Sequence, residues 1–409
     1  MNSFSKLIGL AIGAFAIGTE GYVVAGLLPQ LAADLGVSVP AAGQLITVFA
    51  LAYALGSPLL AVATANMERR RLLLVSLATF ALFNLLAAAA GDYTTLMIAR
   101  VGLALAAGTF MPAASAYAVA VTPAAHRGRA LSIIYAGLTV ATVVGAPLGV
   151  LLAQHFGWRA PFLGVSALSL AALGGLAFTL KPVRGAVSVS LAERIAIARR
   201  PDVLGVLVVT VITLTGAYGI YAFIAPYLQQ STGLTGGAIA AVLFVFGIGS
   251  AVGNLVSGSL SDRIGPRRIL ITVLGALTVL FALLALLPMA FPPTVARWLI
   301  VPTLMLWGFV GWSFPSAQQA RIVSMAPKLA PITLSLNTSA IYLGVSLGAF
   351  LGSLVVAHRP VANVGWVGVA CEIVALAVLL WAPKRHRAAP RSDEAEAPLE
   401  PQPIRVKAE

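Results

Sequence analysis

The sequence contains few of the residues that build disulfide frameworks, metal centres and water-facing surfaces. It has one cysteine, Cys371, and four histidines, and only 10% of its 409 residues are charged. A single cysteine excludes an intramolecular disulfide framework and a multi-cysteine metal site. The histidines lie at or beyond the ends of apolar runs, which does not favour a metal centre. We therefore expect neither a metal ion nor another cofactor.

Most of the chain consists of apolar residues. They make up 59% of the chain, and its mean hydropathy is +0.96. In soluble domains about a quarter of the residues are charged, so this composition could not cover a water-facing surface. The chain is predicted to be a membrane protein. Its first apolar run continues to about Leu31, which is too long for a cleavable signal peptide.

Twelve apolar runs are long enough to cross a bilayer, which takes about 20 residues in a helix. They do not alternate apolar with polar residues, as the strands of an outer-membrane barrel would. The predicted fold is all-α, with twelve transmembrane helices in two pseudo-symmetric six-helix bundles. The runs lie at residues 7–31, 41–65, 72–90, 94–121, 130–154, 160–180, 203–228, 238–260, 269–288, 298–320, 333–357 and 363–382.

The basic residues give this topology an orientation. The net charge is +13, but Lys and Arg collect in the loops on the side of the N-terminus. Only Arg159, Arg297 and Arg359 fall on the other side, and Arg100 lies at the start of the fourth run. This is the positive-inside pattern of a protein with both termini in the cytoplasm. The basic excess therefore reports orientation, and we expect no nucleic-acid partner.

The longest internal connection, residues 181–202, separates six runs from six. It carries Glu193 in a short amphipathic stretch, which predicts a helix lying at the inner membrane surface. The predicted units are residues 1–180 and 203–384, each a six-helix bundle. The last residues, 385–409, are rich in Pro, Glu and Ala without apolar periodicity, so they are predicted to form a disordered cytoplasmic tail. The first and seventh runs also resemble each other, which indicates an internal duplication.

The loop after the eighth run reads Gly-Ser-Leu-Ser-Asp-Arg-Ile-Gly-Pro-Arg-Arg from Gly258 to Arg268. It resembles the G-x-L-x-D-R-x-G-R-R signature of the major facilitator superfamily. Thr19-Glu20, the 68–73 segment Glu-Arg-Arg-Arg-Leu-Leu and Gly157-Trp158-Arg159 are similar to the branch of bacterial drug–proton antiporters and sugar-efflux (arabinose-efflux-like) transporters. The resemblance implies alternating access between two bundles.

The resemblance also implies a gating role for residues of this loop, namely Gly258, Asp262, Arg263, Gly265, Arg267 and Arg268. The first half departs from the signature, since Asn66 stands roughly where its Asp should be. The inner gate is therefore expected to be asymmetric. The alternative is that the loop is a solvated charged segment that only sets topology.

Glu20 lies at the middle of the first run, among uncharged residues. A charge at the bilayer centre costs roughly 2.5–3.5 kcal/mol on insertion scales, so such a group faces a watery cavity or a partner. We predict that Glu20 binds protons or substrate; the alternative is a hydrogen-bonded structural acid. Arg100 resembles the family's R-x-x-x-G motif, and we predict that it faces the cavity, where it holds a proton-binding acid deprotonated or receives an anionic substrate group; the alternative is that it reaches the outer headgroups. Glu372 is the other acid inside a span, and we expect it mainly to pair with a neighbour.

Two further groups complete the candidate set. Gly145, Pro147 and Gly149 resemble the family's antiporter motif, and predict either a hinge or close static packing. Aromatic and amide side chains suit amphipathic organic solutes, although aromatics near span ends can equally form interfacial belts. The candidates of this kind for substrate binding are Tyr22, Tyr218, Tyr221 and Gln318.

These observations predict a secondary transporter that exports drug-like compounds or sugars by proton antiport. The alternatives are a proton-coupled uptake symporter and a sugar- or nucleoside-specific efflux permease of the same fold. The spans offer almost no convergent catalytic groups, so an enzyme is not expected, and without a Walker-type loop ATP is not the driver. We expect a monomer in the bacterial inner membrane, with protons, a small-molecule substrate and lipid as its partners.

Overall fold

The computed structural model describes residues 3–185, 189–325 and 329–381, apart from the side chains of residues 3–5 and 262. Within this part of the chain, twelve helices are long and apolar enough to cross a membrane, which confirms the predicted fold class. The predicted tail, residues 385–409, lies outside the described residues. Ten of the spans are single helices: α1 (Ser3–Asp34), α2 (Val39–Ala63), α3 (Arg69–Ala89), α4 (Tyr93–Val121), α6 (Arg159–Thr179), α8 (Gly237–Ile264), α9 (Pro266–Ala290), α10 (Pro293–Met325), α11 (Ala330–His358) and α12 (Val364–Trp381).

The other two spans are irregular. The fifth, α5, runs as an α-helix over Arg127–Val140, a π-helical turn over Ala141–Gly145 and an α-helix over Ala146–Phe156. Pro147 lies two residues after the end of the π turn. Because proline lacks an N–H and its ring clashes with the carbonyl four residues earlier, which belongs to the π turn, the wider turn there relieves the conflict. The seventh, α7, consists of Pro201–Tyr221 and Ile224–Thr232. The apolar pattern predicted one unbroken run here.

Polar side chains at the membrane surfaces fix several helix starts. The Ser38 hydroxyl accepts a hydrogen bond from the Ala41 N–H at the start of α2. Asp92 caps α4 in the same way, and hydrogen bonds from the Thr95 N–H and hydroxyl hold the pKa of that carboxyl below its usual value. Between the halves, Ser190 and Glu193 form a reciprocal capping box on a short helix, Leu191–Ala198, which we call the connecting helix.

Glycines bring helices together within each half. In α11, an added Cβ at Gly344, Gly348 or Gly352 would lie 2.5–2.6 Å from a backbone carbonyl oxygen of α7. In α5, a Cβ at Gly145 would collide with Thr19 of α1, and one at Gly149 with Val23. Both stripes therefore pack one helix of a half against another helix of the same half, as small residues do in membranes.

The two halves meet along α2 and α11, along α5 and α8, and between α1 and the second part of α7. We call the face at which α1 begins the N-terminal face, and the other the opposite face. Near the opposite face, Gln44 Nε2 donates to Ser353 Oγ at 2.8 Å, and Ser353 Oγ donates to Pro40 O at 2.9 Å. One turn or more deeper, Ser346 Oγ donates to Thr47 O at 3.0 Å. These hydrogen bonds hold the halves together between the opposite face and the middle of the bundle.

Candidate functional site

A buried ion pair occupies the middle of the first half. Glu20 lies at the centre of α1, and Arg100 lies about two turns into α4. Arg100 Nη1 donates to Glu20 Oε1, and the two side chains are only 1% and 0% exposed. The charges that the sequence shows in isolation are therefore partners. Arg100 lies inside the bundle rather than reaching for headgroups.

Helix α2 supplies the rest of the arginine's surroundings. Arg100 Nε donates to Leu45 O at 3.1 Å, and its guanidinium lies 4.2 Å from the centre of the Phe49 ring. A cation over an aromatic face is stabilised by the ring quadrupole, and more so away from water. Leu45 and Phe49 could not be recognised from the sequence, because α2 is apolar on all sides and its pattern does not show which side faces Arg100.

The ion pair is not saturated with hydrogen bonds. Among the described residues, Glu20 Oε2 and Arg100 Nη2 have no hydrogen-bond partner, although both are buried. The neighbouring Thr19 hydroxyl is in the same condition. Buried polar groups in proteins are normally paired, so a spare acceptor and a spare donor at one place mark a site that can take up a proton or a polar ligand group.

Aromatic side chains from both halves lie at about the same depth of the bundle as this pair. Tyr22, two residues after Glu20, has its ring centre 6.2 Å from that of Tyr221 and 6.0 Å from that of Trp312. Tyr218 lies 5.4 Å from Tyr221, in the same half. These rings and the two that extend the group within the second half form what we call the aromatic cluster: Tyr22, Tyr218, Tyr221, Phe246, Trp307 and Trp312.

The predicted tyrosines thus come together across the interface of the halves. Phe246 and the two tryptophans complete the cluster; the tryptophans stand out in the sequence as aromatics of the tenth run, whereas nothing marked Phe246. A second contact lies between α2 and α11, where Tyr53 stacks on Tyr342 with ring centres 3.6 Å apart. Phe49 connects this second contact to Arg100. Its ring lies under the Arg100 guanidinium, and the centre of the ring is 6.4 Å from that of Tyr342.

Gln318 does not join this group. Its Nε2 donates to Thr210 Oγ1 at 2.9 Å and to Val206 O at 3.0 Å, and Thr210 donates to Asn337 Oδ1 at 2.7 Å. The amide therefore ties α10 to α7 and α11 inside the second half. Both partners on α7 lie two or more turns from Tyr218 towards the N-terminal face.

The signature loop lies where α8 passes into α9, on the N-terminal face. Gly265 has φ +86°, a left-handed conformation that glycine adopts without strain, and it ends α8. Arg263 and Arg268 are exposed, and Gly258 is on the last turns of α8. Arg267 Nη2 donates to Leu379 O and Leu380 O at 3.2 and 3.3 Å, which ties the loop to the end of α12. The side chain of Asp262 lies outside the described residues.

The antiporter-like segment of α5 faces two neighbours. Gly145 and Gly149 pack on α1, as described above, and Pro147 is buried beside them. The π turn just before Pro147 touches the second half, where an added Cβ at Gly247 would lie 2.6 Å from Thr142 O. The segment that resembles the motif is therefore both irregular and in contact with the other half.

Comparison with known proteins places this geometry in a family. The model of the Major Facilitator Superfamily (MFS) matches residues 10–330 and 206–407. The chain belongs to this superfamily. It is 32% identical to the MFS-type transporter YbcL of Bacillus subtilis over 92% of this chain and 95% of that protein. It is 34% identical to the inner membrane transport protein YdhP of Escherichia coli K12, over 86% of this chain and 88% of YdhP.

Solved structures of the superfamily share the fold. A D-xylose–proton symporter superposes with a TM-score of 0.75 at 15% identity, covering 93% of this chain and 97% of the other. A bacterial homologue of the human lysosomal transporter Spinster, crystallised in an inward-facing occupied conformation, gives a TM-score of 0.71 at 18% identity over 91% and 95% of the two chains. The family match and the twelve spans together make this MFS chain a multi-pass membrane transporter.

Proposed function

We propose that this MFS transporter exports small organic molecules from the cytoplasm in exchange for protons. The observation that carries the proposal is the Glu20–Arg100 ion pair, buried at mid-membrane with a spare carboxylate oxygen, at about the same depth as the aromatic cluster. Exchange of a proton for a substrate requires a titratable carboxyl and a surface that binds organic solutes, and both lie near the middle of the bundle. The resemblance of Thr19-Glu20 and of the α5 segment to drug–proton antiporters adds to it.

The orientation follows from the basic loops. The positive-inside rule puts the N-terminal face in the cytoplasm, with both termini and the connecting helix on that side. The hydrogen bonds that join α2 to α11 then close the outer side. We therefore take the structure as a conformation closed to the outside, and the other conformation of the cycle as one in which α2 and α11 separate there.

The proposed proton step is a change of partner at Glu20. Paired with Arg100, Glu20 is a carboxylate; a proton arriving from outside binds a carboxylate oxygen and neutralises it. The hydrogen bond from Arg100 Nη1 then loses its ionic partner, while Arg100 keeps Leu45 O and the Phe49 ring. Substrate that enters from the cytoplasm favours the deprotonated form, and the proton leaves on that side.

The substrate class that we propose is based on the aromatic cluster. Stacked and edge-on rings bind flat apolar surfaces, and tyrosine hydroxyls add hydrogen bonds. These properties suit drug-like aromatic compounds, and they also suit the apolar faces of sugars, so that a role in multidrug resistance or in sugar efflux would use the same surface. We propose that the transporter works as a monomer in the bacterial inner membrane, the location named for its relative YdhP.

The second candidate is uptake by symport. One protein that shares this fold is a D-xylose–proton symporter, so the architecture serves coupling in either direction. In a symporter the proton and the substrate move the same way, and Glu20 would bind its proton together with the substrate. The sign of the proton movement distinguishes the two.

Purified protein reconstituted in liposomes with an entrapped pH-sensitive dye tests both. Ethidium serves as an aromatic cation, arabinose as a sugar and uridine as a nucleoside. For antiport, addition of a substrate outside the liposomes drives proton movement opposite to substrate entry, and Glu20→Gln abolishes it. Glu193→Gln, an exposed acid on the connecting helix, is the matched control and retains the response. A response that survives Glu20→Gln moves coupling elsewhere, and co-directional movement establishes symport.

A further inference from the structure

The second half contains a buried acid that the proposed cycle does not use. Glu372 lies at the middle of α12, and its side chain is 0% exposed. It belongs to the single buried stripe of this helix, whose other members include Gly368, Ala375 and Leu379. The stripe faces α7 and α9, so Glu372 points into the protein and not towards lipid.

The contact with α7 locates the carboxyl. An added Cβ at Gly216 would lie 3.2 Å from Glu372 Oε1 and 2.9 Å from Cys371 Cβ. One turn further along the pair of helices, an added Cβ at Gly368 would lie 3.1 Å from Ile220 Cδ1 and 2.6 Å from the Phe281 ring of α9. We call this contact between α7 and α12 the α7–α12 seam. Small residues at 216 and 368 leave room for the glutamate in it.

Neither carboxyl oxygen of Glu372 has a hydrogen-bond partner among the described residues. The Thr213 hydroxyl is also buried and unpartnered there. Thr213, Gly216 and Ile220 share one face of α7 by their helical spacing, so Thr213 lies on the seam one turn nearer the N-terminal face. The seam thus holds two unsatisfied polar groups along a line that leads from mid-membrane towards that face.

No described cation compensates the carboxyl. On α9, Arg267 reaches α12 but donates to Leu379 O and Leu380 O, seven or more residues beyond Glu372 and about 10 Å along the axis. On α7, Tyr218 and Tyr221 lie in the aromatic cluster, and Asp202 pairs with Arg200 at the membrane surface. On α11, Tyr342 stacks on Tyr53, and His358 lies at the helix end. Cys371 is the titratable neighbour on α12 itself.

We propose that Glu372 is a second proton-binding site, separate from Glu20. An unpaired carboxylate in such surroundings is strongly disfavoured, whereas the neutral acid fits them, so Glu372 carries a proton while the seam is packed as it is here. When α7 shifts against α12 and water enters the seam, the proton leaves towards the N-terminal face by way of Thr213. The two acids then differ in protonation in one conformation: Glu20 is ionised and Glu372 is neutral.

Infrared spectroscopy of the full-length protein in lipid nanodiscs tests this without any substrate. A protonated carboxyl gives a carboxylic C=O stretch, and an ionised one does not. At neutral pH the native protein is expected to show such a band. Glu372→Gln removes it, Glu372→Asp shifts it in frequency, and Glu20→Gln and Glu193→Gln leave it in place. Raising the pH abolishes the native band reversibly while circular dichroism shows that the helices persist.

Two results would overturn the proposal. A band that is unchanged in Glu372→Gln shows that another acid carries the proton. A band that depends on Glu372 but keeps its full intensity at every pH at which the protein stays folded shows a permanently neutral structural acid. The Glu372→Asp variant and the pH titration of the native chain decide the matter if Glu372→Gln does not fold. The result is independent of transport, so it stands or fails separately from the proposed export activity.

Discussion

The Glu20–Arg100 pair shows how two membrane-buried charges depend on each other. Each alone would be a single charge in the low-dielectric interior. Together they form a charge-assisted hydrogen bond, and Arg100 also contacts the Phe49 ring and donates to Leu45 O. Removing one partner of a buried pair typically costs about 3–5 kcal/mol, because the other is left uncompensated. The stability of the pair and its use for proton binding therefore have the same physical origin.

This dependence predicts a non-additive pair of substitutions. Arg100→Gln leaves Glu20 buried beside an amide and is expected to lower the free energy of unfolding by about 3–5 kcal/mol unless Glu20 takes up a proton. Adding Glu20→Gln removes the uncompensated charge, so the double variant is expected to be more stable than Arg100→Gln alone. Thermal unfolding of the detergent-solubilised protein compares the stability of Arg100→Gln with that of the double variant. Losses that simply add would show that the two side chains are independent.

The residue scale also shows what a sequence can reveal. Glu20, Arg100 and Glu372 stand out because a charge in an apolar run is expensive, and the structure finds all three buried. Their partners could not be predicted, because uniformly apolar helices do not indicate which side faces which neighbour. For the same reason Gln318 was grouped with the substrate-binding residues, whereas its hydrogen bonds tie α10 to α7.

At the scale of elements, the glycine stripe of α11 sets the distance between α11 and α7, because the two backbones are in direct contact along it. Gly348 faces the Thr215 carbonyl oxygen, and a Cβ there would lie 2.5 Å from it. A backbone atom cannot rotate away, so Gly348→Ala must push the helices apart. We expect destabilisation of about 1–3 kcal/mol, the usual cost of overpacking. Gly275→Ala in α9 is the matched control, since nothing lies within 4 Å of its added Cβ; thermal unfolding compares the two.

The connecting helix has a pH-dependent cap. Hydrogen bonds from the Ser190 hydroxyl and N–H lower the pKa of Glu193. A carboxyl whose pKa is lower in the folded state stabilises the fold above its unfolded pKa, and this stabilisation is lost as the pH falls through the folded value. We expect hydrogen exchange at residues 190–200, corrected for intrinsic rates, to accelerate on acidification. In Ser190→Ala it should already be faster at neutral pH and depend less on pH; identical profiles would show that the cap contributes nothing.

The elements themselves were largely predictable, and their irregularities were not. Twelve runs of about 20 apolar residues indicate twelve helices, because in lipid a backbone satisfies its hydrogen bonds within the segment. The π turn at Ala141–Gly145 and the break of α7 after Tyr221 leave no mark in hydropathy. Pro147 and the Gly216-x-x-Gly219 pair were the local signals near them, but each is equally compatible with a continuous helix.

At the scale of the whole molecule, the loops and the interface of the halves give different information. The signature at Gly258–Arg268 was sufficient to indicate the superfamily, because it rests on a continuous stretch of sequence. The state of the transporter depends on which ends of α2, α5, α8 and α11 touch. Those contacts join residues far apart in the sequence, such as Thr142 and Gly247 between α5 and α8 and Gln44 and Ser353 between α2 and α11. No local pattern encodes them, so only the structure shows that the halves are closed at the opposite face.

This closure leads to a prediction about the complete cycle. If alternating access requires α2 and α11 to separate at the opposite face, a covalent link between positions 44 and 353 must stop transport. We expect Gln44→Cys/Ser353→Cys, in a Cys371→Ser background, to react with a short bifunctional methanethiosulfonate, to lose the substrate-driven proton signal, and to regain it on reduction. Either single-cysteine variant is the control and keeps its activity under the same treatment. Undiminished transport by fully cross-linked protein would mean that the halves move without opening here, and the rocking of two rigid bundles about the Glu20–Arg100 site would have to be replaced by motions within each half.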